Sequence, residues 1–310
     1  MKTKSLQDDS IEKAYSYCES VTKSHAKSFF FAAKFLPKHK RKAVYPIYAF
    51  CRHVDDEIDE IGDGEEAKAI ETVNMWKSNL EEIYLSKNSA ESDSGIQNPE
   101  TKNKNLVFSA WKDLLQTYKI QQNLPLELIQ GVLMDTNIKR YQTFDELYIY
   151  CYRVASTVGL MSSEILGYAD KVALEYAEAL GIAMQLTNIL RDIKEDAAMN
   201  RIYLPQEELK KFNVSEEQIF ENKFDRNFEN LMKFQIERAR VFYQKGEKGI
   251  ALLEKDSRFT VLLASRIYSK ILVEIEKQNY NVFLKRAHTT KGQKIFSIPK
   301  IWREAKKLTK

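Results

Sequence analysis

Residues 181–204, GIAMQLTNILRDIKEDAAMNRIYL, constrain the fold more than any other stretch of the chain. Gln185, Asn188, Asp192 and Asp196 recur in it at helical spacing. At about 100° per residue, Asn188, Asp192 and Asp196 drift by only ~40° per step, and Gln185 projects between them. A helix here carries one lane of oxygen-bearing side chains, with Gly181 on the same side adding no bulk. Its other sides hold Ala183, Met184, Leu186, Ile189 and Leu190, too apolar for a solvent-exposed helix. The lane is expected to face an interior cavity, where acids require cations.

The remainder of the chain supports helical packing. Only ten Gly and six Pro occur in 310 residues, and abundant Leu, Ala, Glu and Lys favour helices with short connections. Apolar and aromatic residues make up 44% of the chain, enough for a substantial core. Forty-eight basic against 44 acidic residues leave a formal charge of only +4. With no basic block interleaved with aromatics, nucleic acid is not an expected partner. Cys18, Cys51 and Cys151 are too scattered for a metal cluster, and an odd count fits reduced thiols in a cytoplasmic setting. The sequence MKTKSLQDDS has no hydrophobic run, and no later run approaches the ~20 apolar residues of a membrane span.

Helices are expected over 10–35, 39–61, 65–86, 105–119, 125–140, 143–168, 170–198, 225–254 and 257–280, with a short one after Ser215. Thr143 and Pro125 read as start signals and Gly167 as a stop. Pro46 should mark a late helix start or kink the first turn. Residues 87–105 are polar and rich in Ser, Asn and Glu, and read as a flexible loop. Residues 281–310 read as a basic end. The expected class is all-α, in a single domain over 1–310.

A second acidic helix pairs with the first. Within residues 45–60, YPIYAFCRHVDDEIDE, Asp55 and Asp59 stand at i and i+4, with Arg52 and Tyr48 on the same face. Acids alone would serve a metal. Acids with arginine suit a metal bound to an anion such as diphosphate, because Mg²⁺ commonly joins a few carboxylates to phosphates. One such pair is common on surface helices. Two pairs in apolar helices, each beside an arginine (Arg52, Arg191), are not. Other chemistries lack their signatures: no Glu-x-x-His pair for di-iron, no G-x-S-x-G, no Gly-rich phosphate cradle. His53 lies off the acidic lane and reads as structural or exposed.

At these residues the chain resembles the squalene/phytoene synthase family of head-to-head prenyl transferases. The matching blocks are SHAKSFFFAAKFLP, YAFCRHVDDEID, YCYRVASTVG, GIAMQLTNILRDIKEDAAMNRIYLP and IYSKILVEIEKQNYNVFLKRAH. The resemblance implies an isoprenoid-synthase helical bundle with a central cavity, and two Asp-rich motifs that bind Mg²⁺, or Mn²⁺, with prenyl diphosphates. By position it implies Asp55, Asp59, Asn188, Asp192 and Asp196 as metal ligands, with Asp56 in support. It places Tyr48, Arg52, Gln185, Arg191, Arg201 and Tyr203 at or near the diphosphates. Lys27, Ser28 and Phe29 match the first block, Tyr150 the middle one and Tyr268 the last. Most of the sixteen tyrosines must nonetheless be packing residues. Ala26 stands where some members carry a serine that could contact phosphate.

The segments RIYLP and NYNVFLKRAH look most like bacterial phytoene synthases. They imply condensation of two geranylgeranyl diphosphates, through a cyclopropyl diphosphate, to phytoene. The alternatives are a C30 enzyme acting on two farnesyl diphosphates, with NADPH needed only for squalene, and a non-catalytic assembly factor. A hydrophobic product makes peripheral membrane contact an expectation, with the basic tail and Trp302 as contacts. The sequence does not define an oligomeric state.

Overall fold

The computed structural model describes residues 2–59, 66–86 and 102–308; the side chains of residues 2–8, 59, 66 and 102 lie outside that description. Among the described residues there is no strand, only isolated bridges pairing Arg140 with Ile202 and Tyr168 with Leu253. The helices in order are α1 (Lys2–His25), α2 (Lys27–Ala33), α3 (Lys38–Asp59), α4 (Glu66–Ser86), α5 (Lys102–Thr117), α6 (Asn123–Asn137) and α7 (Phe144–Cys151). A π-helical turn, Tyr152–Ser156, leads into α8 (Thr157–Leu166) and then α9 (Ala173–Ala198). The chain continues through α10 (Gln206–Lys211), α11 (Glu216–Phe220), α12 (Arg226–Lys248), α13 (Lys255–Lys277) and α14 (Lys291–Lys307). No helix among the described residues is long and apolar enough to cross a membrane.

Local chemistry accounts for many of the ends. Thr143 accepts from the Glu146 amide at 3.3 Å and Ser215 from the Gln218 amide at 3.2 Å, each satisfying a donor that a first turn leaves open. Gly167, at φ 74°, stops α8 in the left-handed region.

Other boundaries depart from the sequence expectation. The helix expected over 10–35 is two helices, broken at Ala26 (φ −118°, ψ 60°) without a Gly or Pro. The cause is tertiary: α1 packs on α3 and α5, whereas α2 turns away to pack on α13. Pro46 neither delays the start of α3 nor ends it. The helix begins well before it and continues past it, held by packing on α1, α4, α5, α6 and α8. Within the stretch read as a loop over 87–105, residues 102–105 form the first turn of α5. Residues 87–101 lie outside the described residues. The expected helix over 225–254 ends at Lys248, followed by a 3₁₀ turn over Gly249–Leu252. Finally, α14 forms where only a basic end is expected, opened by a reciprocal capping box between Thr290 and Gln293.

Two large apolar cores result. One gathers α1, α3, α4, α5, α6 and α8 around Phe50, Trp76 and Trp111. The other gathers α7, α9, α12 and α13 around Ile182, Leu186, Phe228 and Ile275. A smaller cluster joins α2, α13 and α14. Lys40 of α3, almost fully buried, fastens the arrangement. Its ammonium donates to the Leu166 carbonyl at 2.8 Å, Glu254 at 2.5 Å, Asp256 at 2.7 Å and Ser257 Oγ at 3.2 Å. One side chain thus ties α3 to the end of α8 and the start of α13.

Candidate active site

The oxygen lane of α9 lies on the second core and the acids of α3 on the first. Both helices pack on α8, and among the described residues they share no extensive contact with each other. The apolar side chains at the margins of the two cores are only half-buried. Phe29, Tyr48, Val158 and Leu160 belong to the first, and Val154, Leu180, Met184 and Tyr268 to the second. Their partial exposure, against the near-zero exposure of Ile182 or Phe50, leaves apolar surface open at the margins of both cores.

The π turn sets how α9 sits. A Cβ on Gly181 would lie 2.5 Å from Ser156 Cα and 2.7 Å from its amide nitrogen, so only glycine permits this backbone approach. Gly181 is accordingly buried against the turn, while Gln185 and Asn188 further along remain half-exposed.

The lane is wired by hydrogen bonds. Asn188 donates to Gln185 Oε1 at 3.1 Å, and Tyr268 of α13 donates its hydroxyl to Asn188 Oδ1. Arg191 donates to the Tyr268 hydroxyl at 3.4 Å and to Asp192 Oδ1 at 2.7 Å. Arg286, in the connection after α13, grips the same carboxylate in bidentate fashion at 2.7 and 2.8 Å. Burial pulls the Asp192 carboxyl up, but the two guanidinium groups hold it below its ordinary value. Asp196, one turn on, lacks that support. Burial, with Asp192 and Asp135 nearby, pushes it up to about 8, and Arg201 only partly opposes this.

Beneath Asp196 the chain reverses. Asn200 takes φ 57°, and the Arg201 amide bonds back to the Asp196 carbonyl at 2.9 Å, returning Arg201 and Tyr203 toward the site. A small cavity there is lined by Ile189, Asp196, Arg201 and Tyr203. The buried carboxylate of Asp135 on α6 accepts from Tyr150 at 2.9 Å and from Tyr203 at 2.7 Å. Burial and this charge raise both phenols well above their ordinary value.

On α3, Arg52 reaches Asp55 at 3.5 Å and pairs closely with Asp56. The Asp56 side chain is 20% exposed and that of Asp55 45%, so Asp56 anchors the arginine while Asp55 stays accessible. Tyr48 stacks on Phe29 at 5.9 Å between centroids. Burial raises its phenol, Arg52 opposes, and Asp55 and Tyr268 of α13 add to the rise. Ser28 accepts from Lys294 of α14 at 2.8 Å, and Lys27 beside it is exposed. The Asp59 side chain lies outside the described residues. Among the described residues no three acidic, His or Cys side chains converge as a metal cluster. His53 is structural: it shares a 2.8 Å hydrogen bond with Tyr17 and stacks between Tyr17 and Trp76.

Sequence reasoning did not single out Arg286, Asp135 or Lys294. Arg286 sits within the NVFLKRAH block, but nothing local links it to an acid 94 positions earlier. Asp135 carried a weak signal as an isolated acid in the apolar run GVLMDT.

Chemically, the arrangement offers carboxylates and guanidinium groups bordering half-buried apolar surface. That combination can hold a strongly anionic head group and a hydrophobic tail together. Comparison with known proteins agrees. The family profile described as squalene/phytoene synthase matches residues 22–293. The chain is 39% identical to the 15-cis-phytoene synthase of Synechocystis sp., covering 96% of this chain and 87% of that protein. It is 38% identical to the phytoene synthase of Arthrospira platensis, covering 96% and 94%. A solved dehydrosqualene synthase superposes with a TM-score of 0.84 at 28% identity, covering 97% of this chain and 99% of the other. A squalene synthase from Alicyclobacillus acidocaldarius shares the fold at a TM-score of 0.75 and 24% identity, covering 87% and 96%. The chain belongs to the squalene/phytoene synthase family.

Proposed function

We infer that this chain is a phytoene synthase, joining two geranylgeranyl diphosphates head to head. The observation that carries the reading is the grip of Arg191 and Arg286 on Asp192 at the head of the oxygen lane. Acids without arginine would serve a metal alone, and arginines without acids an anion alone. Together they suit a polyanion arriving with divalent metal. The product class is supported by phytoene synthases at 38–39% identity across nearly the whole chain.

The donors present fit Mg²⁺, or Mn²⁺ in its place. They are hard oxygen ligands, and a buried Asp196 crowded by other acids is a position that a cation would relieve. Asp55, Asp59, Asn188, Asp192 and Asp196 would hold it. When bound, the metal neutralises charge on the departing diphosphate. The chain's own residues do the rest. Arg52, Arg191 and Arg286 can turn from carboxylates to phosphate oxygens, and Tyr48 and Tyr268 supply hydroxyls between the acidic helices. Lys27, Ser28 and Lys294 border the same region. Gln185 stands one turn before the ligands, beside the reacting carbons. Tyr150, Arg201 and Tyr203 with Asp135 support Asp196 from below. The half-buried apolar margin binds the prenyl chains and keeps water from the allylic cations. In each coupling two C–O bonds break and two diphosphates leave; C1 of one chain joins the other through a cyclopropane, one proton is lost as that ring closes, and a second is lost after it opens. No reductant is consumed, so NADPH has no part unless the product is squalene. In this reading residues 1–310 act as one catalytic unit.

A C30 reading is favoured by the dehydrosqualene synthase likeness. Incubating purified protein with Mg²⁺ and either the C20 or the C15 diphosphate, with and without NADPH, decides between them. Phytoene from the C20 substrate is expected. A C30 hydrocarbon alone would move the assignment, and no turnover of either would favour an assembly factor.

A further inference from the structure

The outer face of α14 gathers several exposed apolar side chains on one helix. Phe296 is 86% exposed, Ile295 57% and Trp302 47%. With Pro299, also exposed, they lie on one side of the helix at i, i+1, i+4 and i+7. The opposite side is fully engaged. Ser297, Ile301 and Ala305 are buried against α13 and the small third core. Gln293 donates to Glu274 at 2.8 Å, Lys294 to Ser28 at 2.8 Å, and Arg258 to the Leu308 carbonyl at 2.7 Å. The helix is therefore pinned, and its aromatic side is presented rather than loosely attached.

Charge completes the pattern. Lys291, Lys300, Arg303, Lys306 and Lys307 surround the apolar side chains and are exposed. The single acid of α14, Glu304, faces inward toward Arg266 at 3.7 Å. The Lys306 ammonium lies over the face of the Trp302 ring, 3.5 Å from its centroid, so a cation sits directly against the exposed indole. An apolar strip ringed by cations, on a helix too polar overall to enter hydrocarbon, matches a helix that lies in a bilayer interface. A protein partner would need a matching acidic rim, whereas anionic head groups supply one around any inserted side chain.

We propose that α14 docks this chain on anionic lipid membranes, inserting Ile295, Phe296 and Trp302 at head-group level while the surrounding Lys and Arg bind lipid phosphates. Because Lys294 on the inner side of the same helix reaches Ser28, and α2, α13 and α14 share one small core, docking would bring the lipid surface to the side of the molecule that carries α2. The inference rests on the helix face and not on the reaction, and its test uses no prenyl substrate.

The full chain is sedimented with phosphatidylcholine vesicles containing phosphatidylglycerol and with pure phosphatidylcholine vesicles. Binding to the anionic vesicles is expected, weakening at high salt and at least tenfold weaker for I295S/F296S. A K300E/R303E variant is expected to lose the preference for anionic lipid. Both pairs are exposed, and unchanged circular dichroism and melting temperature serve as the folding control. Binding by the double variants equal to that of the unaltered chain would overturn the proposal. So would no binding by the unaltered chain at low salt, or a dimer on gel filtration that I295S/F296S dissolves without any vesicle binding.

Discussion

At the scale of single residues, the site is organised by competition for Asp192. Arg191 reaches it from the adjacent position, and Arg286 from the connection between α13 and α14. A fork of two parallel bonds needs a planar guanidinium, which a lysine cannot reproduce. Arg286→Lys is therefore expected to lower kcat/KM by roughly ten- to a hundredfold, the range of charge-assisted bonds, with little change in melting temperature. Steady-state kinetics beside a thermal melt checks this, since Arg286 is half-exposed and contributes little to packing. An equally large fall in stability would make it a structural residue instead. Asp196 shows the complementary case. Its raised carboxyl follows from burial beside Asp192 and Asp135, so the same geometry that is unfavourable for a bare acid is favourable for a ligand.

At the scale of elements, two contacts carry the geometry. The first is α9 against the π turn. Gly181→Ala would place a Cβ at 2.5 Å from backbone that cannot move aside, and overpacking of this kind costs about 1–3 kcal/mol. A lowered melting temperature and a larger fall in activity than stability alone explains are expected, because the lane would rotate away. The second contact is Lys40. Burial pulls its ammonium down, but Asp256 and Glu254 hold it above its ordinary value. Asp256 is lowered in turn by its bonds to Lys40 and Ser257, against burial. Lys40→Met leaves the Leu166 carbonyl and Ser257 without this donor, and the two acids are half-exposed, so a loss of about 2 kcal/mol is expected, below the roughly 3–5 kcal/mol of a fully buried broken pair. The pH sign follows from the lowered carboxylate. Its contribution is present above the unfolded carboxylate range and is lost as pH falls through the folded value. Chemical denaturation should thus show the gap between Lys40→Met and the unaltered chain narrowing below about pH 4.

At the scale of the whole molecule, two cores carry one acidic helix each. The halves are connected through α8, Lys40 and the tyrosines, not by direct packing of α3 on α9. A ligand that touches both halves should stabilise them jointly. Mg²⁺ with inorganic diphosphate is expected to raise the melting temperature by more than the sum of the shifts from each alone, measured by differential scanning fluorimetry. A purely additive response would mean that the two acidic helices do not share one ligand.

The division between sequence and tertiary structure follows from the range of the forces involved. Helical periodicity, caps at Thr143 and Ser215 and the stop at Gly167 are local, so the all-α class and the oxygen lane on α9 could be read along the chain. The lane's residue types also spoke for themselves, because acids and amides in an apolar helix demand a partner. The break at Ala26, the passage of α3 through Pro46 and the π turn arise from long-range packing that overrides local propensity. The same is true of the partners of Asp192 and Asp196. Arg286 and Asp135 are distant in sequence and close in space, and only the folding of α13 and α6 around α9 makes them neighbours. Local chemistry determined what kind of groups the site contains; tertiary packing decided which charges face one another.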